Sequence, residues 1–180
     1  VAATGSVLTQ SDSNTKIEAT GASSSYVASD VSDIVEAVMP SIVSITNVSE
    51  SQYQSFFGGT QTQQSTSCGS GIIVSQDADN LYIATNNHVV EGADSLTVAF
   101  SDNTTVSAEI KGTDPSTDLA VIRVALSSID SDTLNTIKVA TLGNSDDLKA
   151  GQAAIAIGNA LGYGQSVTTG VISALNREVT

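Results

Sequence analysis

The sequence predicts an all-β domain, a barrel or a sandwich, and three observations carry that prediction. From Gly69 onward short apolar runs recur at close intervals, each bounded by Gly, Asn, Asp or Ser. The runs favour Val, Ile and Thr, and several alternate with polar residues, as a strand with one buried face does. Helical periodicity is nearly absent, and many short strands with tight turns bury their faces by closing or stacking.

Residues 1 to 31 stand apart from this pattern. The stretch "VAATGSVLTQSDSNTKIEATGASSSYVASD" is rich in Ser, Thr, Ala and Gly. It buries too little to offset its ordering entropy and reads as a flexible linker. It has no initiator Met, basic n-region or apolar h-region, so it is not a signal peptide, and the chain is expected to come from the middle of a longer one. Organisation begins at "SDIVEAVMP", where Ser32 or Asp33 is placed to cap a short helix. Ile34, Val35 and Val38 give the helix an apolar side, and Pro40 ends it.

"SIVSITNV" alternates as a half-buried strand, and the polar "SQYQSFFGGTQTQQSTS" reads as a long loop carrying Phe56 and Phe57. "GSGIIVSQ" and "NLYIATNN" form a hairpin around "DAD"; "SLTVAFS" and "TVSAEIKGTD" form another around "DNT". "DLAVIRVA" is an apolar run broken only by Arg123, which predicts a central strand. "IKVATLGNSDDLKAGQAAIAIGNA" holds a short strand, a polar turn with one helical turn, and a further strand. "SVTTGVISALNR" supplies the last.

Composition narrows the function classes. The chain has 19 acidic and 6 basic residues, a net charge of −13. Nucleic acid and anionic membrane surfaces are therefore poor partners, because both need a basic footprint. Aromatic residues make up only 4% and Trp is absent, so Val, Ile, Leu and Ala must fill the core. The single cysteine, Cys68, excludes an intrachain disulfide and reads as a small buried hydrophobe. No apolar run approaches the roughly 18 residues of a membrane span.

His88 is the only histidine. It sits at a strand end among Thr85, Asn86 and Asn87, and Asp118 follows 30 residues later (118 − 88) beside the apolar run of the central strand. A carboxylate bonded to one imidazole nitrogen fixes tautomer and orientation, and the other nitrogen can then take a proton from a serine hydroxyl. Asp114 is the rival acid, but its Asp-Pro context marks a turn, whereas Asp118 should be buried and in need of a partner. Residue type and spacing alone leave a structurally satisfied histidine open beside the catalytic one. One histidine without a second ligand cluster predicts no metal. "GSG" and "GNALGYGQ" lack the setting of a nucleotide loop, so no cofactor is expected.

"GSGIIVS", "LYIATNNHVVEGADSLTVAFSDNTTVSAEIKGTDPSTDLAVIRV" and "LGNSDDLKAGQAAIAIGNALGYGQSVTTGVISALNR" closely resemble the trypsin-like serine proteases of the high-temperature-requirement (HtrA/Deg) family. The resemblance covers residues 32 to 180 and keeps the His-to-Asp interval. It implies a chymotrypsin/trypsin-like double β-barrel with the catalytic groups in the cleft. Residues 32 to 135 would then form the first barrel, and 136 to 180 the first strands of the second. His88 is thereby carried over as general base and Asp118 as its orienting carboxylate.

By the same resemblance the parent protein is a serine endopeptidase cleaving unfolded or damaged proteins outside the cytoplasm. It is also expected to form a homo-trimer, to be anchored by an upstream membrane helix and to carry a downstream PDZ domain. Two departures stand out. Gly158-Asn159-Ala160 replaces the family's usual Gly-Asn-Pro, and no serine has the family's Gly-Asn-Ser-Gly-Gly context. The nucleophile, oxyanion donors and pocket walls are expected beyond Thr180, and the 180-residue chain is expected to be inactive alone. The alternatives are a pseudoprotease or peptide-binding module, and a structural surface domain.

Overall fold

The computed structural model describes residues 30–54, 60–158 and 165–176. Helix α1 (Ser32–Val38) leads through a 3-10 turn (Met39–Ser41) into strand β1 (Ile42–Gln54), which is followed by β2 (Thr60–Gln76) and β3 (Asn80–Thr85). The one-turn helix α2 (Asn87–Val90) comes next, then β4 (Ser95–Ala99), β5 (Thr105–Asp114) and β6 (Leu119–Ala125). Helix α3 (Ser131–Thr136) precedes the last two strands, β7 (Ala153–Gly158) and β8 (Ser166–Val171).

The first six strands close into an antiparallel barrel in the order β1-β2-β3-β6-β5-β4, and β7 and β8 pair as a separate two-stranded sheet. The all-β barrel class expected from the sequence is what the chain adopts. Both predicted hairpins are present, as β2–β3 and β4–β5. Register shifts near Val74 in β2 and Lys111 in β5 add the local bends that let a sheet curl shut.

Alternation along the strands fills the barrel. Val43 and Ile45 point inward from β1, Leu81 and Ile83 from β3, Leu96 and Val98 from β4, and Ile122 and Val124 from β6. The core is aliphatic, as the scarcity of aromatics requires, with Phe100 its buried ring. Arg123, the one break in the β6 run, faces outward and pairs with Glu109 directly across β5, its Nε 3.0 Å from Oε2. Both side chains are exposed, so the pair contributes little stability.

Gly71 has no room for a side chain. A Cβ there would lie 2.5 Å from Ile83 Cγ2, 2.9 Å from Ile45 Cδ1 and 3.1 Å from Val43 Cγ2. These atoms belong to the buried centre, where overpacking typically costs about 1–3 kcal/mol. Gly71→Ala is expected to lower the thermal midpoint, read by circular dichroism. An unchanged midpoint would mean the barrel is looser than its contacts indicate.

Four expectations need correction. Neither Ser32 nor Asp33 caps α1, because the cap position is Val31, without a side-chain cap bond. The expected loop after β1 is largely a continuation of the hairpin: Ser51 pairs with Gln63 and Gln54 with Thr60. Backbone pairing needs no apolar face, so a Ser, Thr and Gln stretch can extend a ladder. Phe56 and Phe57 lie outside the described residues. No strand forms at "IKVATLG"; the segment instead makes single backbone bonds, from Lys138 N–H to Pro40 O and from Ala140 N–H to Ile73 O. Cys68 is half-buried rather than buried, with Thr46 Oγ1 4.0 Å from its Sγ.

Helix α3 gave no sequence signal. It is tied down by Thr133, whose buried hydroxyl donates to Asp102 Oδ2 at 2.5 Å and lies 3.0 Å from Thr104 Oγ1.

Candidate active site

Strand β3 ends at Thr85, whose hydroxyl donates to Ser70 O on β2 at 2.8 Å. Asn86 turns the chain in extended conformation, and α2 begins at Asn87. His88 is therefore not at the end of a strand but on a one-turn helix at the barrel rim. The turn from β5 to β6 is organised by Asp114. Its Oδ1 accepts from Ser116 N–H (3.0 Å) and Ser116 Oγ–H (2.5 Å), and its Oδ2 from Thr117 Oγ1–H (2.8 Å). Every one of these bonds is to Asp114's own turn. That local closure is why Asp114 is the turn-former and Asp118 the residue that reaches His88.

Asp118 has φ 54, in the left-handed region that non-glycine residues seldom enter. The conformation is held from both ends. Its carbonyl accepts Asn87 N–H and Asn86 Nδ2–H, each at 3.1 Å. Its carboxylate Oδ1 accepts His88 N–H at 3.0 Å, and its Oδ2 accepts Asn86 Nδ2–H at 3.2 Å. Oδ2 also lies 2.7 Å from His88 Nδ1. The two residues singled out in the sequence are thus in direct contact.

The expected burial of Asp118 is not met. Its side chain is 46% exposed and that of His88 68%. The left-handed turn swings the carboxylate toward α2, away from the apolar strand it precedes, and hydrogen bonds rather than burial satisfy it. His88 N–H, first, and then the His88 ring hold its carboxyl below the usual carboxylate value. An ionised carboxylate can only accept, so the proton of the neutral ring belongs on Nδ1 and Nε2 keeps a free lone pair. Nε2 is thereby left able to accept a proton.

Asn86 was missed by sequence reasoning. Its amide grips both the carbonyl and the carboxylate of Asp118, but an Asn beside an Asn in "TNNH" announces no such role. Among the described residues no group of three or more His, Cys, Asp or Glu converges as a metal site.

Asp77, Asp102 and Asp114 share the depressed values of Asp118. The chief causes are the Asp79 N–H, the Thr133 hydroxyl and the Ser116 hydroxyl respectively. A carboxyl with a lowered folded value contributes stability above its ordinary value of 3.8 and loses it as pH falls through the folded value. The thermal midpoint is therefore expected to stay level down to about pH 5 and to fall below about pH 4. A midpoint that rises between those values and pH 2 would contradict this reading.

Residues 69–180 match the family model of the trypsin-like peptidase domain. The chain belongs to the trypsin-like peptidases. Within that family its relatives are HtrA-type serine proteases. Serine protease Do-like HtrA of Bacillus subtilis is 40% identical over 159 residues, 85% of this chain and 34% of that protein. Serine protease Do-like HtrB of the same organism is 42% identical over 156 residues, 84% of this chain and 32% of that protein. A probable periplasmic serine endoprotease, DegP-like, of Halomonas elongata is 47% identical over 116 residues, 64% of this chain and 22% of that protein.

Among solved structures, a variant of the HtrA-type protease AlgW with a decapeptide superposes with a TM-score of 0.69 at 33% identity. The match covers 82% of this chain and 46% of that one. This trypsin-like peptidase chain spans about a third of the length of the Bacillus relatives it matches.

Proposed function

We propose that the full-length protein is a serine endopeptidase that cleaves unfolded or damaged proteins outside the cytoplasm, with His88 as general base and Asp118 as its orienting carboxylate. The single observation that carries this reading is the 2.7 Å contact between Asp118 Oδ2 and His88 Nδ1, which leaves Nε2 with its lone pair. A serine hydroxyl attacks the scissile carbonyl while His88 Nε2 takes its proton, and the imidazolium that forms is stabilised by Asp118. The same proton passes to the leaving amine as the C–N bond breaks. Water then attacks the acyl-enzyme, His88 again taking and returning a proton, and the serine is freed.

The 180 residues contain no Gly-Asn-Ser-Gly-Gly stretch. The nucleophile and oxyanion donors are therefore assigned to other parts of the full-length protein, and the 180-residue chain is expected to be inactive alone. In this proposal residues 1–31 are a linker, 32–135 the first barrel and 136–180 the start of the second. The location outside the cytoplasm is supported by the naming of the Halomonas relative and a Pseudomonas fulva relative as periplasmic. A peptide substrate is in keeping with the decapeptide in the AlgW structure. Homo-trimerisation, an upstream anchor and a downstream PDZ domain belong to the same proposal.

Incubation of the full-length protein with one substrate in two states, folded and reduced-unfolded, tests the reading. Cleavage of the unfolded form and sparing of the folded form is expected. Binding of the unfolded form without any cleavage would replace the enzyme by a peptide-binding module.

A further inference from the structure

Helix α2 is too short to hold itself. Its four residues are bonded to their flanks by Glu91 N–H to Asn87 O (2.9 Å) and Val89 N–H to Asn86 O (3.2 Å). Isolated helices of fewer than about 12 residues are marginal in water, so a single turn takes its position from what surrounds it. At the N-terminal side the Asp118 turn supplies partners, as described. At the C-terminal side a side chain from another strand does.

That side chain is Asn47. The alternation of β1 turns Val43, Ile45 and Asn47 to the barrel interior, so an amide occupies a slot where the pattern calls for an aliphatic residue. Asn47 is 3% exposed. Its Nδ2 donates to Val89 O at 3.0 Å and to Glu91 O at 3.1 Å. Both acceptors are carbonyls in or just past the last turn of α2, where a helix leaves such groups without internal donors. The amide can stand in only one orientation, since a flip would set its oxygen against two carbonyl oxygens.

Oδ1 is buried and has no hydrogen-bond partner among the described residues. A buried acceptor without a partner is a cost to folding. An amide kept in a core slot despite that cost is the kind of local rule-breaking that collects at functional sites. On the neighbouring strand Gly69 removes any obstacle to the same helix: a Cβ there would lie 2.5 Å from Val89 Cγ2 and 2.7 Å from Val89 Cγ1. Val89 is thus seated on bare backbone while Asn47 draws in the carbonyls of Val89 and Glu91. His88, one residue before Val89, is carried by that seat.

We propose that Asn47 is a positioning residue for the general base. It acts through the α2 backbone to hold His88 Nδ1 at bonding distance from Asp118 Oδ2, and touches neither ring nor carboxylate itself. The inference rests on the reading of His88 as the base and deepens it by naming what fixes the base in place.

Two readouts test it. In the full-length protein, Asn47→Leu and Asn47→Ser remove the paired donors, one with an apolar side chain of similar size and one with a shorter polar one. For each folded variant kcat is expected to fall about 10- to 100-fold, the range for a displacement of up to about 1 Å at a reacting group. KM is expected to stay within about twofold, because the loss falls on the transition state. Ile45→Val, on the same strand and buried but bonded to no α2 carbonyl, lowers the thermal midpoint and leaves kcat within about twofold.

The second readout needs no turnover. In the full-length protein the ring nitrogen resonances that disappear in His88→Ala are those of His88. At a pH where the ring is neutral the parent should show the Nδ1–H tautomer, and the Asn47 variants an average of the two tautomers. Folded Asn47 variants with parental kcat and the parental tautomer would overturn the inference. If instead His88→Ala left turnover intact, it is the general-base reading that would fall, whatever the Asn47 variants do to the ring.

Discussion

His88→Ala in the full-length protein is expected to remove nearly all turnover of an unfolded protein substrate, a loss on the order of 10⁶-fold in kcat. The size follows from the role. Without a base at Nε2 the attacking hydroxyl must lose its proton to water, and the leaving amine has no donor. The substitution leaves the backbone N–H that bonds Asp118 Oδ1 in place, so the turn and the helix should keep their positions. The variant should therefore melt close to the parent while its kcat collapses. A loss of less than about tenfold would remove His88 from the chemistry.

Asp118→Asn is expected to cost about 10⁴-fold in kcat, as the equivalent change does in trypsin. An amide keeps the shape of the carboxylate but can present an N–H to Nδ1, which reverses the tautomer and leaves the proton on Nε2. The change also removes the negative charge that stabilises the imidazolium. Oδ1 and Oδ2 accept from His88 N–H and Asn86 Nδ2–H, so one of these bonds must weaken too. Asp114→Asn is the matched control. Asp114 accepts only within its own turn, so its loss should loosen the turn and lower the thermal midpoint with a far smaller effect on kcat. Were Asp114→Asn the costlier of the two for kcat, the assignment of the acid would be wrong.

Much of this was legible in the residues. The alternation in "NLYIAT" and "SLTVA" gave the inward faces of β3 and β4, and turn clusters gave both hairpins. What escaped had physical reasons. The hairpin arms beyond Ser51 are mostly Ser, Thr and Gln in sequence, so no hydrophobic period marks them, and only the backbone ladder reveals them. Helix α3 depends on Thr133 meeting Asp102 and Thr104 across about 30 residues of chain, a contact that local propensity cannot encode. At the site, His88 and Asp118 were legible as a pair through their residue types, interval and family resemblance. The exposed setting of Asp118 was not, because a left-handed turn decides where its side chain goes and Asp118 carries no glycine-like signal for it. Asn47 read as one polar letter in a strand. Its partners are backbone carbonyls, which have no sequence signature at all.

The central claim, that His88 activates a serine in the full-length protein, is tested most directly by the rate of labelling with a fluorophosphonate probe. The probe reacts with a serine made nucleophilic by a base, and it needs no knowledge of cleavage preference. The full-length parent should label at one serine, and His88→Ala should label slower by several orders of magnitude while melting at the parental temperature. A parent that does not label, or a His88→Ala variant that labels as fast as the parent, would contradict the account.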